Sequence, residues 1–90
     1  MLRHTLSNGR RVRIVGEELD GQWEPMRGLI SYRSSLRGLA LLETIIHEVM
    51  HAELPDLSEQ KVTKTARSLA RLVCQISKRA NRNGGRRRRA

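Results

Sequence analysis

The sequence predicts an α+β fold: a small antiparallel or mixed sheet of two to three strands, followed by two helices. Three observations lead there. Arg11-Val12-Arg13-Ile14-Val15 alternates polar and apolar residues, the pattern of a half-buried strand. The run LRGLALLETIIHEVMHAEL is almost wholly apolar and reads as a helix packed on most of its circumference. Beyond it, Val62, Ala66, Leu69, Val73, Ile76 and Ala80 recur at the spacing of one apolar stripe on a second, amphipathic helix.

In chain order, Ser7-Asn8-Gly9 is a turn signal ahead of the first strand. Residues 16–21 are acidic and rich in turn formers, and are expected as a loop. Gln22-Trp23-Glu24 begins a second strand that Pro25 confines to an edge or ends early. Leu29-Ile30-Ser31-Tyr32-Arg33 follows Gly28 and carries β-branched and aromatic residues, so it is the stronger strand. Ser34 or Ser35 is expected to cap the first helix, which runs to about Glu53. Pro55 then stops it, because the residue before a proline is steered out of the helical region. Two caps compete for the second helix. Asp56 would place Glu59 at N3 of a capping box, and Ser58 is the alternative.

Ninety residues are expected to form one small domain over residues 1–80, close to the lower size limit for a core without disulfides or metal. The lone Cys74 allows no internal disulfide and is expected as a buried, inert thiol. No run approaches the length of a transmembrane span, and the N-terminus lacks the apolar core of a signal peptide. A cytoplasmic protein without membrane contact is expected.

Charge is unevenly spread. Residues 1–60 hold 7 Lys/Arg and all 9 Asp/Glu, whereas residues 61–90 hold 11 Lys/Arg and no acid. Residues 81–90, which have no apolar group larger than alanine to bury, are expected as a disordered basic tail. Its run Arg86-Arg87-Arg88-Arg89 points to sequence-independent, salt-sensitive binding of nucleic acid. Base stacking has little to draw on, since Trp23 and Tyr32 are the only aromatic residues of the Phe, Trp and Tyr class. For Lys61, Lys64, Arg67, Arg71 and Lys78 the plainer expectation is a solvated helix face.

The most specific feature is His47-Glu48-Val49-Met50-His51, an H-E-x-x-H motif on the first helix. Residues four apart share a helix face, so both imidazoles can reach one Zn2+ ion. Glu48, rotated by about 100° from His47, can bond a metal-bound water without ligating the ion. Glu43, His47, Glu48 and His51 form the helix's polar stripe, and no Lys or Arg lies between Arg37 and Lys61. A solvated face would carry such residues.

The stretch IIHEVMHAELPDLSEQKV resembles the small zincin-like metallopeptidases of bacteriophage and prophage genomes, in which ETxIHExxHA runs into PDLSEE and a second helix. The resemblance covers about residues 30–73 and is tightest over 43–62. It implies a minimal zincin core and, for a phage-encoded chain, a place in the host cytoplasm. His47 and His51 become metal ligands by this resemblance, and Glu48 becomes the general base.

The third ligand departs from the better-known patterns. Metzincins place a histidine where this chain has Leu57 and a glycine where it has Leu54. Glu53 points away from the histidine stripe. Glu59 matches a glutamate of the phage-type pattern, yet the same residue is the capping-box candidate; Asp56 is the alternative ligand. The expected activity is hydrolysis of peptide bonds in a peptide or protein, with the strand at Leu29–Arg33 offering an edge for β-augmentation. Tyr32 is expected to pack, with assistance to the oxyanion as a second possibility. The rival reading is a non-catalytic, zinc-stapled protein that docks on nucleic acid or a larger assembly through its basic C-terminus. No residue pattern sets an oligomeric state or a specificity pocket.

Overall fold

In a computed structural model of the chain, residues 1–89 are described, residues 82–89 by their backbone alone. The basic tail expected over residues 81–90, with Arg86, Arg87, Arg88 and Arg89, therefore lies almost wholly outside the described side chains. The architecture is α+β, with strands β1 (Leu2–Thr5), β2 (Arg11–Glu17), β3 (Gln22–Glu24) and β4 (Leu29–Arg33) preceding helices α1 (Gly38–Glu53) and α2 (Glu59–Arg89).

The four strands form one mixed sheet in the order β1-β2-β4-β3. β1 and β2 are antiparallel, joined at Ser7-Asn8-Gly9, where Gly9 takes a φ of 90° and the Asn8 side chain accepts the Arg10 N–H at 2.9 Å. β4 runs parallel to β2, and β3 lies antiparallel to β4 on the outer edge. Pro25 turns the chain out of β3 into a single 3-10 turn, Pro25–Arg27, which Gly28 closes in the left-handed region.

The sheet differs from expectation in three ways. β1 is a fourth strand, invisible in the sequence because all four of its residues are exposed and show no alternation of burial. β2 continues through Gly16 and Glu17, which pair with Tyr32 and Arg33 and take two residues from the expected loop. Leu29–Arg33 is an interior strand rather than an edge, since β2 and β3 flank it. The edge strands are β1 and β3.

One face of the sheet buries Leu6, Val12, Ile14 and Ile30 against Ile45, Val49 and Ala52 of α1, with Trp23 and Tyr32 alongside. A quarter-turn away, Met50 and Ile46 of α1 meet Val62 and Ala66 of α2 and Leu57 of the connection. α1 is thus a middle layer between the sheet and α2. Its third side is open: Met50 is its one buried residue, and Leu39 is 43% exposed. That corrects the expectation of a helix packed on most of its circumference.

Both expected α1 caps are replaced. Arg37 is the N-cap without a side-chain bond, and Ser34 belongs to the preceding turn, donating its N–H to Glu17 at 2.7 Å. The connection to α2 is short, so the helices run antiparallel. The buried positions of α2 are Val62, Ala66 and Ala70, four residues apart, whereas Leu69, Val73 and Ile76 are 41%, 38% and 58% exposed. α1 has 16 residues and α2 has 31, so Ile76 lies beyond the length that α1 can cover, whereas Leu69 and Val73 lie within that length but are only partly covered. Among the described residues no helix is long and apolar enough to cross a membrane.

Candidate metal centre

His47 and His51 project from the open side of α1 towards the first turn of α2. Their Nε2 atoms stand 3.1 Å apart, with the rings near perpendicular at 66°. Glu59 completes the group: Oε1 is 2.8 Å from His47 Nε2 and Oε2 is 2.8 Å from His51 Nε2. These are the only three His, Cys, Asp or Glu residues among the described ones whose ligand atoms gather closely enough to hold a cation. Asp56, the alternative ligand, is exposed and lies outside the group.

Glu59 reaches the histidines because of how α2 starts. Ser58 is the cap: its Oγ accepts the Lys61 N–H at 3.1 Å. The expected capping box from Asp56 to Glu59 is therefore absent, and the Glu59 carboxylate is not spent on backbone N–H groups. As the first residue of α2, Glu59 faces back across the short connection to α1.

The donor set suits zinc. Two imidazoles and one carboxylate from separate elements are the ligand types of open, catalytic zinc sites. Two nitrogens on one tetrahedral ion stand about 3.3 Å apart, close to the spacing seen here. The imidazoles are part-buried, with side chains 19% and 25% exposed, while Glu59 is 67% exposed.

Glu48 lies beside the group on the same helix. Burial raises its carboxyl above the ordinary value; the neighbouring histidines and a bond from the Trp23 backbone N–H oppose the rise, and Glu59 adds to it. Trp23 is on β3, so the edge strand and the centre are in direct contact. A cleft of about 460 Å³ runs between them, lined by Gln22, Trp23, Pro25, His47, Glu48, His51, Pro55 and Glu59. Gly21 lets the chain pass close at its end, where a Cβ would stand 2.6 Å from the Ser31 carbonyl oxygen. Tyr32 packs with the sheet core and does not line this cleft.

Two supports had no sequence signal, because each depends on register between distant elements. Glu43 of the polar stripe binds Arg67 Nε at 3.0 Å, locking α1 to α2 one turn beyond His47. Glu53 accepts the Ser7 N–H at 2.9 Å and its hydroxyl at 2.8 Å, tying the end of α1 to the β1–β2 turn. Those bonds hold its carboxyl below the ordinary value. Cys74 is half-buried and free.

Compared with protein-family models, with curated proteins and with solved structures, the chain finds no match in any of the three.

Proposed function

We propose that the chain is a zinc-dependent, metallopeptidase-like hydrolase that cleaves peptide bonds. The observation that carries this reading is the convergence of His47 Nε2, His51 Nε2 and both Glu59 oxygens on one point, with Glu48 beside it and an open cleft in front. Zinc would be held by His47, His51 and Glu59, and it would supply Lewis-acid chemistry: polarising a carbonyl and lowering the pKa of water. Glu48 then has the work of a general base: it takes the proton from the attacking water and delivers it to the leaving amine. Its raised carboxyl pKa suits a group that must bind and release a proton in turn. An extended peptide fits the free edge of β3, which forms one wall of the cleft, so β-augmentation moves there from β4.

Metal analysis of the purified protein, beside a peptide-cleavage assay of wild type and Glu48→Gln, tests the reading. Stoichiometric zinc in both proteins with cleavage only by the wild type supports it; a protein that takes up no zinc sinks it.

One observation favours the non-catalytic reading. The centre bridges α1 and α2, whose shared core is small, built on Met50, Val62 and Ala66 with Ile46 and Leu57 packed against them. A metal staple there would stabilise the helix pair without chemistry. Zinc that raises the melting temperature in a protein without peptidase activity would select this alternative.

A further inference from the structure

We infer that the sheet face turned away from α1 binds the phosphate backbone of nucleic acid through Arg3, Arg11 and Arg13. The argument begins with strand alternation. Val12 and Ile14 face the core, so Arg11 and Arg13 point to the opposite side of β2. The β1–β2 register sets Arg3 directly opposite Arg13 and Thr5 opposite Arg11. Like charges facing each other across a strand pair destabilise a sheet, and an acid at either position would relieve the strain. This chain instead keeps three arginines on one face of two adjacent strands.

Among the described residues no ion pair neutralises these three arginines; Glu17, farther along the same side of β2, lies opposite Arg33. Asp20 pairs with Arg33, Glu24 with Arg27 and Glu43 with Arg67, while Glu59 contacts the histidines and Glu53 is bonded to Ser7. Among the described residues no carboxylate lies within ion-pair distance of Arg3, Arg11 or Arg13. Arg10 is employed differently: its guanidinium lies over the Trp23 ring and donates to the Pro25 carbonyl. The three free arginines border a shallow hollow of about 510 Å³ that ends at Arg27 and Gly28.

Guanidinium groups bind phosphate bidentately, and a row of them suits a polyanion of repeating phosphates better than a single carboxylate. The two aromatic residues that stack on bases elsewhere, Trp23 and Tyr32, are committed to the other side of the sheet. The face therefore reads backbone charge and not sequence, and it favours duplex over single strands. It is a different element from the basic C-terminus and lies across the sheet from the metal centre.

The test is fluorescence anisotropy of the full chain on duplexes of about 20 base pairs in two unrelated sequences, titrated with salt. Both should bind alike. Arg3→Gln/Arg13→Gln should weaken binding about tenfold or more at low salt and lower the slope of log K against log[salt] by about 1.8, or 0.9 per lost phosphate contact. The same drop should appear when residues 84–90 are deleted, which separates this face from the arginine run. The double variant should melt no lower than the parent, because it removes a like-charge pair. Should it fail to fold, Arg11→Gln alone, opposite the neutral Thr5, should lower the slope by about 0.9. A slope unchanged by these substitutions overturns the inference, as does tighter binding to anionic lipid vesicles than to the duplex.

Discussion

The Nε2 atoms of His47 and His51 stand 3.1 Å apart on successive turns of α1, turned towards each other within hydrogen-bond distance. Both nitrogens also meet the Glu59 carboxylate at 2.8 Å, so three side chains from two helices converge on one point. Replacing either histidine with alanine should abolish stoichiometric zinc, measured by metal analysis after dialysis. Full occupancy in the His47→Ala/His51→Ala double variant would refute the assignment.

Glu48 and Glu59 should separate chemistry from binding. Glu48→Gln should keep its zinc and lose peptidase activity, whereas Glu59→Gln should weaken zinc affinity by about 10- to 100-fold or more. Ser58→Ala serves as the control. It removes the α2 cap at a cost of about 1 kcal/mol in stability and leaves the ligand in place.

The raised Glu48 carboxyl also predicts a pH effect in the metal-free protein. A carboxyl whose folded pKa lies above its unfolded value favours folding in its protonated form, and that advantage is lost as pH rises through the folded pKa. With chelator present, Glu48→Gln should therefore melt higher than wild type at pH 7. The difference should close below the ordinary carboxylate value of about 4.3. A variant that melts lower at pH 7 would mean that Glu48 stabilises the fold.

Glu53 has the opposite sign. Its carboxyl is held low by the Ser7 N–H and hydroxyl, so it stabilises the fold above the unfolded pKa and ceases to do so as pH falls through the folded one. Glu53→Gln should lower the melting temperature at neutral pH, and the two proteins should converge in acid. Ser7→Ala should reproduce part of the loss, since the backbone N–H remains. Equal melting temperatures at pH 7 would remove the tie between α1 and the β1–β2 turn.

The two halves of α2 should respond differently to truncation. Val62 is fully buried against α1, so Val62→Ala should cost about 2 kcal/mol through lost burial and the cavity left behind. Ile76 is 58% exposed, and Ile76→Ala should fall within about 0.5 kcal/mol of wild type. Chemical denaturation compares them directly; equal losses would mean that a partner covers the second half of α2.

Features that depend on near neighbours were legible in the chain. The HExxH pair needs only the helical repeat to bring His47 over His51, and Pro55 ends α1 by a local clash. The strands at residues 11–15, 22–24 and 29–33 carried their own alternation, bulk or breakers, and the α+β order followed from them. Tertiary structure decided what depends on which elements meet. β1 has no buried residue of its own and is a strand because β2 offers it hydrogen bonds. β4 lost its edge because β3 folded back beside it. Leu69, Val73 and Ile76 carry the same periodic signal as Val62 but remain exposed in part or in most of their surface, and Ile76 lies beyond the length that α1 can cover. Glu59 came to the histidines through the competition between two caps: with Ser58 bonding the Lys61 N–H, its carboxylate was left to face α1. Spacing along one helix is a property of the sequence, whereas the third side chain of the centre arrives from another helix and is placed by the packing between the two.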